Sequence, residues 1–142
     1  MTTVTFDDIS VGDELPPLRV RLQRVNLVMY AGASGDFNPI HWNERIATAV
    51  GLPDVIAHGM LTMATAARVV TEWLDDPGAV RSYQARFSRP VVVPDDDRGA
   101  EVTITAQVAE KLADGHVAIE ITAMSGDEEV LKQARAVVEL RL

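Results

Sequence analysis

Cysteine is absent from the 142 residues. Disulfides, thiol nucleophiles and thiolate-ligated metals are excluded with it. No apolar run approaches the ~18–20 residues that a membrane-spanning helix needs. Positive charge is in deficit, with 13 Lys and Arg against 21 Asp and Glu and a formal net charge of −8. Generic nucleic-acid binding needs cations to displace phosphate counterions, so this balance argues against it. The opening residues, MTTVTFDDISVGDE, lack both a basic region and an apolar stretch. No secretory signal and a cytoplasmic location are therefore expected. Internal repeats, low-complexity segments and linkers are also missing. What the chain does have is a hydrophobic fraction of 47%, too high for a disordered polymer. Its length suits one domain, residues 1–142, able to bury roughly 68–70% of its unfolded surface.

The pattern changes near residue 80, from helices and loops to strands. Pro16-Pro17 excludes a helix interior, and Leu18, Val20 and Leu22 alternate with Arg19 and Arg21 as in a short strand. Val25, Val28, Met29 and Ala33 predict a helix over 24–33. Ser34-Gly35-Asp36-Phe37-Asn38-Pro39-Ile40 predicts an irregular loop, and a short helix follows over 43–50, stopped by Gly51. A longer helix is expected over 59–74, where Met60, Met63, Ala64, Ala67, Val70 and Leu74 recur at helical intervals. After it, Tyr83–Phe87, Val102–Val108, Val117–Ala123 and Ala134–Leu140 alternate as strands. Val91-Val92-Val93 reads as buried. Asp114-Gly115 tolerates the positive φ angles of a tight hairpin, and Gly126-Asp127 marks a further turn. An antiparallel meander with one apolar face needs a cover, and the 59–74 helix is the long one available. The expected fold class is α+β, a curved antiparallel sheet wrapped around a central helix.

Two of the three histidines lie in the part of the chain most punctuated by Gly and Pro. Asp36 and His41 flank Phe37-Asn38-Pro39-Ile40, where Pro39 fixes its own φ and pushes Asn38 toward an extended conformation. Such a stiff loop suits an acid–base pair. It also suits a plain turn in which Asp36 or Asn38 caps the backbone and His41 packs on a neighbour. The second feature is Ala57-His58-Gly59-Met60 at the start of the long helix. First-turn N–H groups lack partners within the helix and carry partial positive charge, and Gly59 has no side chain to obstruct an approaching oxygen. Its N–H could stabilise negative charge on a thioester or carboxyl oxygen. Alternatively, Gly59 admits a tight loop-to-helix turn and His58 is a partly buried packing residue. Taken together, the features equip the chain for enolate chemistry. One group moves a proton at the α-carbon, another handles water at the β-carbon, and the N–H holds the carbonyl oxygen.

Tyr30-Ala31-Gly32-Ala33-Ser34-Gly35-Asp36-Phe37-Asn38-Pro39-Ile40-His41, followed by Ala57-His58-Gly59-Met60-Leu61, resembles the hydratase 2 motif of MaoC-like (R)-specific enoyl hydratases and dehydratases. The likeness runs along nearly the whole chain. His41-Trp42, Ala57–Met63 and Asp76–Val80 look especially like the catalytic B-subunit group of actinobacterial (3R)-hydroxyacyl-ACP dehydratases. The resemblance implies a hot-dog fold, a catalytic pair of Asp36 and His41, a thioester oxygen on the Gly59 N–H, and a supporting role for Asn38 and Ser34 behind the pair. It implies no metal or redox cofactor, because the thioester itself delocalises the charge. The implied substrate is an acyl-ACP or acyl-CoA thioester. The implied partner is a second copy, or a related hot-dog subunit that lacks the pair.

Further candidates are weaker. Arg81, Arg86 and Arg89 flank the first strand after residue 80, where they could hold the phosphates of CoA or of a carrier's phosphopantetheine arm, or form a solvated strand edge. Met60 and Met63, with Met124, suit core or acyl-pocket lining. Asp95-Asp96-Asp97 lacks the spacing of a Ca²⁺ loop and suits a solvated turn. His116 suits a surface strand. The rivals to a hydratase are a hot-dog thioesterase, which would cleave the same substrate at its carbonyl, and a non-catalytic acyl-binding subunit.

Overall fold

The computed structural model describes residues 4–142. In chain order the elements are β1 (Leu18–Leu22), α1 (Arg24–Ser34), α2 (Glu44–Ala49), α3 (Gly59–Leu74), β2 (Val80–Phe87), β3 (Ala100–Lys111), β4 (His116–Ser125) and β5 (Glu128–Glu139). The strands form one sheet in the order β1-β3-β4-β5-β2, and every neighbouring pair is antiparallel. Helix α3 packs against all five strands. A flat sheet of five strands is ~19 Å wide at ~4.8 Å per strand, beyond the reach of one helix ~10–12 Å across. Contact with every strand therefore requires the sheet to curl around α3. Register shifts in the β2–β5, β3–β4 and β4–β5 pairs supply the bends, as bulges do generally. This is the α+β arrangement that the strand and helix patterns predict.

The hairpin between β3 and β4 turns at Asp114 and Gly115, with φ of 56° and 75°. That double positive φ is why an Asp-Gly pair sits there. Alternate residues of the central strands, among them Val102, Ile104, Val117, Ile119 and Ala136, are buried and meet the helix side. Tyr83 ties β2 to α3 by donating its hydroxyl to the Met63 carbonyl at 2.9 Å. Burial pushes the phenol's pKa up to about 12. Among the described residues, no helix is long and apolar enough to cross a membrane.

Two helices turn a different face inward from the one their apolar spacing suggests. The buried stripe of α3 is Thr62, Thr65, Ala66, Val69 and Val70, while Met60 is 57% exposed. Threonine is admitted to this stripe because its hydroxyl can bond back along the helix, as Thr62 Oγ1 does to the His58 carbonyl at 3.4 Å. In α1 the buried residues are Leu27 and Ala31, and Val25, Val28 and Met29 are exposed. The outward apolar residues of α1 and α3 border a groove of about 700 Å³ whose lining includes Val20, Met29, Tyr30, Leu61 and Ala64. Ala66 is fully buried, so its small size sets how closely α3 approaches the sheet. Ala66→Leu should destabilise the fold by ~1–3 kcal/mol through overpacking, read as a lower midpoint in urea denaturation.

Candidate active site

The connection from α1 to α2 is held by its own side chains. Gly35 ends α1 in the left-handed region, φ 76°, where a Cβ would be strained. Beyond it three hydrogen bonds follow in series, each spanning two residues. The Asp36 N–H donates to Ser34 Oγ at 3.2 Å, the Asn38 N–H to Asp36 Oδ1 at 3.1 Å, and the Ile40 N–H to Asn38 Oδ1 at 3.2 Å. Pro39 then opens a 3₁₀ turn over Pro39–His41, its fixed φ suiting that position. The Trp42 indole N–H closes the loop onto the Phe37 carbonyl at 3.0 Å. Polar side chains, rather than a hydrophobic core, thus shape this exposed loop.

His41 is the point where the loop enters the interior, at 7% exposure. Its Nδ1 lies 2.8 Å from the Ile56 carbonyl oxygen. A carbonyl only accepts, so Nδ1 carries the hydrogen, and in the neutral ring Nε2 presents a lone pair. That lone pair faces Asp36 Oδ2 at 3.9 Å. The two oxygens of Asp36 have separate tasks, Oδ1 shaping the loop and Oδ2 facing the imidazole. The separation is too long for a direct hydrogen bond, but a water ~2.8 Å from each atom would bridge it. Burial holds the His41 pKa below its ordinary value, and repulsion from His58 adds to the effect. The Ile56 hydrogen bond and the Asp36 carboxylate oppose it without reversing it.

The segment before α3 carries the partners of this loop. Ile56 donates its N–H to the Ile40 carbonyl at 3.2 Å, and the Ala57 N–H bonds to the Val91 carbonyl at 2.9 Å. Val91 and Val93 are buried, as their apolar run suggests. His58 is 1% exposed and bonds through Nε2 to the Asp36 carbonyl at 3.1 Å. Its ring lies 3.8 Å from that of His41, nearly parallel at 22°. Gly59 opens α3 and lines, with His41, a cavity of about 390 Å³. Ile40, Ile56, Thr62 and Phe87 make its wall predominantly apolar. A Cβ on Gly59 would sit 3.2 Å from the Phe87 ring, so the absent side chain leaves that wall close to the helix start.

Asp36, His41 and His58 offer atoms within 4.8 Å of one another. Nδ1 of His41 and Nε2 of His58 are engaged by carbonyls. The nitrogens and oxygen not engaged by the backbone are Asp36 Oδ2, His41 Nε2 and the buried His58 Nδ1.

The sequence-predicted residues divide. Asp36 faces His41, His41 and Gly59 line one cavity, and Asn38 and Ser34 flank Asp36 in the hydrogen-bond series. Of the three arginines, Arg89 lines the cavity. Arg81 is instead paired with Glu139 at 2.7 Å, and Arg86 is exposed on β2 opposite Lys132. Met60 points outward, while Met63 is half-buried beside Tyr83, and neither lines this cavity among the described residues. His116 sits at the β4 start, its Nδ1 within 3.2 Å of the Ala113 carbonyl. The Ile56 carbonyl and the Phe87 wall had no motif to announce them, because one is backbone and the other is brought in by strand pairing.

Residues 10–124 match the family model described as MaoC like domain. A curated Rhodospirillum rubrum protein named (R)-specific enoyl-CoA hydratase is 36% identical over 107 residues, 75% of this chain and 73% of that protein. A Mycobacterium tuberculosis protein named 3-hydroxyacyl-thioester dehydratase X is 42% identical over 80 residues, 56% of this chain. The match spans only 28% of that longer protein. A solved structure titled MaoC-like dehydratase superposes with a TM-score of 0.93 at 42% identity, covering 97% of this chain and 42% of the other.

Asn38→Ala removes the acceptor that holds the Ile40 N–H. It should cost about 0.5–2 kcal/mol, as loss of a cap does, while Asn38→Asp, which keeps the oxygen, should cost less. Chemical denaturation of the two variants checks the order.

Proposed function

Since the chain belongs to the MaoC-like domain family, we propose that it interconverts (3R)-3-hydroxyacyl and trans-2-enoyl thioesters by removing or adding water across C2–C3. The observation that carries the proposal is the placement of two proton acceptors, Asp36 Oδ2 and the His41 Nε2 lone pair, 3.9 Å apart beside the apolar cavity that Gly59 lines. A water donating one hydrogen to each acceptor keeps its oxygen lone pairs for C3.

In hydration, that oxygen bonds to C3 as one of its protons passes to the pair. The C2–C3 π electrons move toward C2 and the carbonyl. The growing charge on the thioester oxygen meets the Gly59 N–H, a first-turn donor with no partner inside the helix. C2 then takes a proton and the thioester carbonyl is restored. The pair begins with two lone pairs and no spare proton, so the cycle closes when the proton taken from water is the one delivered to C2. Dehydration runs the same steps backward, the C2 proton leaving with the C3 hydroxyl as water. Arg89, at the same cavity, is suited to the phosphate of CoA or of a carrier's phosphopantetheine arm.

The outward apolar residues of α1 and α3 support association with a second hot-dog unit, either another copy or a related subunit. The mass of the native complex, alone and with candidate subunits, distinguishes the two.

Incubation with a short trans-2-enoyl-CoA should remove the conjugated-thioester absorbance without releasing free thiol. Thiol release would indicate a thioesterase, and no change in either signal, with any partner subunit supplied, would indicate an acyl-binding protein. Asp36→Asn and His41→Gln should each fold normally and lose at least ~10²-fold in kcat. Undiminished turnover in either would remove that residue from the mechanism. The acid limb of kcat/KM should lie below the ordinary imidazole value of about 6.5, because His41 must be neutral to accept a proton and its pKa is lowered. The same shift has a stability consequence of definite sign. The unfolded chain protonates His41 first as pH falls, so this group's contribution is full above its unfolded pKa and declines below it.

A further inference from the structure

We infer that His58 is a positioning residue for the reaction proposed above, holding the backbone of Asp36 and the ring of His41 in one fixed arrangement from behind the pair. The inference rests on that reaction and adds to it a third side chain that does not touch substrate.

The geometry is specific. His58 Nε2 lies 3.1 Å from the Asp36 carbonyl oxygen, so Nε2 carries the hydrogen and donates it. This bond reaches from the start of α3 to the loop, binding the residue whose carboxylate faces His41. The ring itself is a shelf. It lies 3.8 Å below the His41 ring at 22°, and Tyr30 of α1 closes on its other side at 4.7 Å and 59°. His58 is 1% exposed, and its remaining nitrogen, Nδ1, is buried with no hydrogen-bond partner among the described residues.

An orphaned buried acceptor is a cost that an apolar residue of similar size would avoid. Packing alone therefore does not account for a histidine here. What an apolar ring lacks is the N–H to Asp36. The side chain thus gives up one unsatisfied nitrogen in exchange for a donor aimed at the site. The charged and titratable groups near His41 are Asp36 from the loop, His58 just before α3 with Tyr30 of α1 behind it, and Arg89 at the cavity. Burial, with a contribution from His58, keeps the His41 pKa below its ordinary value.

Two variants separate shelf from donor. His58→Phe keeps a flat ring and loses the N–H, whereas His58→Gln keeps a donor near the Nε2 position and loses the ring. With trans-2-enoyl-CoA, His58→Phe should lose about tenfold to a hundredfold in kcat, the size of effect expected for a misplaced catalytic group. Its KM should stay nearly constant, and His58→Gln should recover part of the lost kcat. Nitrogen shifts of the wild-type His58 ring should show hydrogen on Nε2 and none on Nδ1. These NMR results stand whether or not the protein hydrates enoyl thioesters, so they judge the positioning role even if that activity fails. Hydrogen on Nδ1 of His58, or wild-type kcat in a folded His58→Phe, would each overturn the inference.

Discussion

The hydrogen bond from His41 Nδ1 to the Ile56 carbonyl at 2.8 Å sets the chemistry of the site. It fixes which ring nitrogen has a free lone pair, and it anchors the exposed loop to the segment that leads into α3. The carbonyl it uses belongs to a residue that is itself bonded back to the loop through the Ile40 carbonyl. Loop and helix start therefore move as one piece. The lone pair on Nε2, the carboxylate of Asp36 and the N–H of Gly59 keep their relation because of that shared backbone.

The sheet imposes the remaining constraint. Five strands must bury an apolar face, and one helix fills the space they enclose. The direction of α3 follows, and with it the place where its first turn opens. A site built at that opening has an apolar wall from β2 and the segment around Val91, and a polar side from the loop. The wall excludes water on one side, while the loop on the other side keeps polar groups in contact with solvent. The division between apolar enclosure and polar rim is a consequence of where the helix begins.

Burial is not uniform across this arrangement, and the differences are chemically sensible. Asp36 is half exposed, so its carboxylate retains solvent contact. His41 is buried and its pKa is lowered by that burial, which favours an imidazole with its lone pair available. One group of each kind, side by side, forms a pair of acceptors that differ in chemistry and environment. The outward faces of α1 and α3 show a different imbalance. Their exposed valines and methionines gain nothing from water.

The sequence by itself determined the local features. The Asp36–His41 loop was legible because Ser, Asp, Asn and Pro act on their own neighbouring backbone, so short-range chemistry dictates its shape. The Asp114-Gly115 turn, the strand alternation and the limits of α3 were legible for the same reason. Only the tertiary structure decided which way each helix faces. Apolar spacing marked Met60 and Val25 as candidates for burial, yet Thr62, Thr65 and Leu27 took the inner positions. A threonine that satisfies its hydroxyl within the helix passes as apolar in the fold while reading as polar in the chain. Nor could a sequence announce the Ile56 carbonyl or the pairing of His58 with Asp36. Both depend on backbone atoms brought together across the chain, and a backbone carbonyl is the same in every residue.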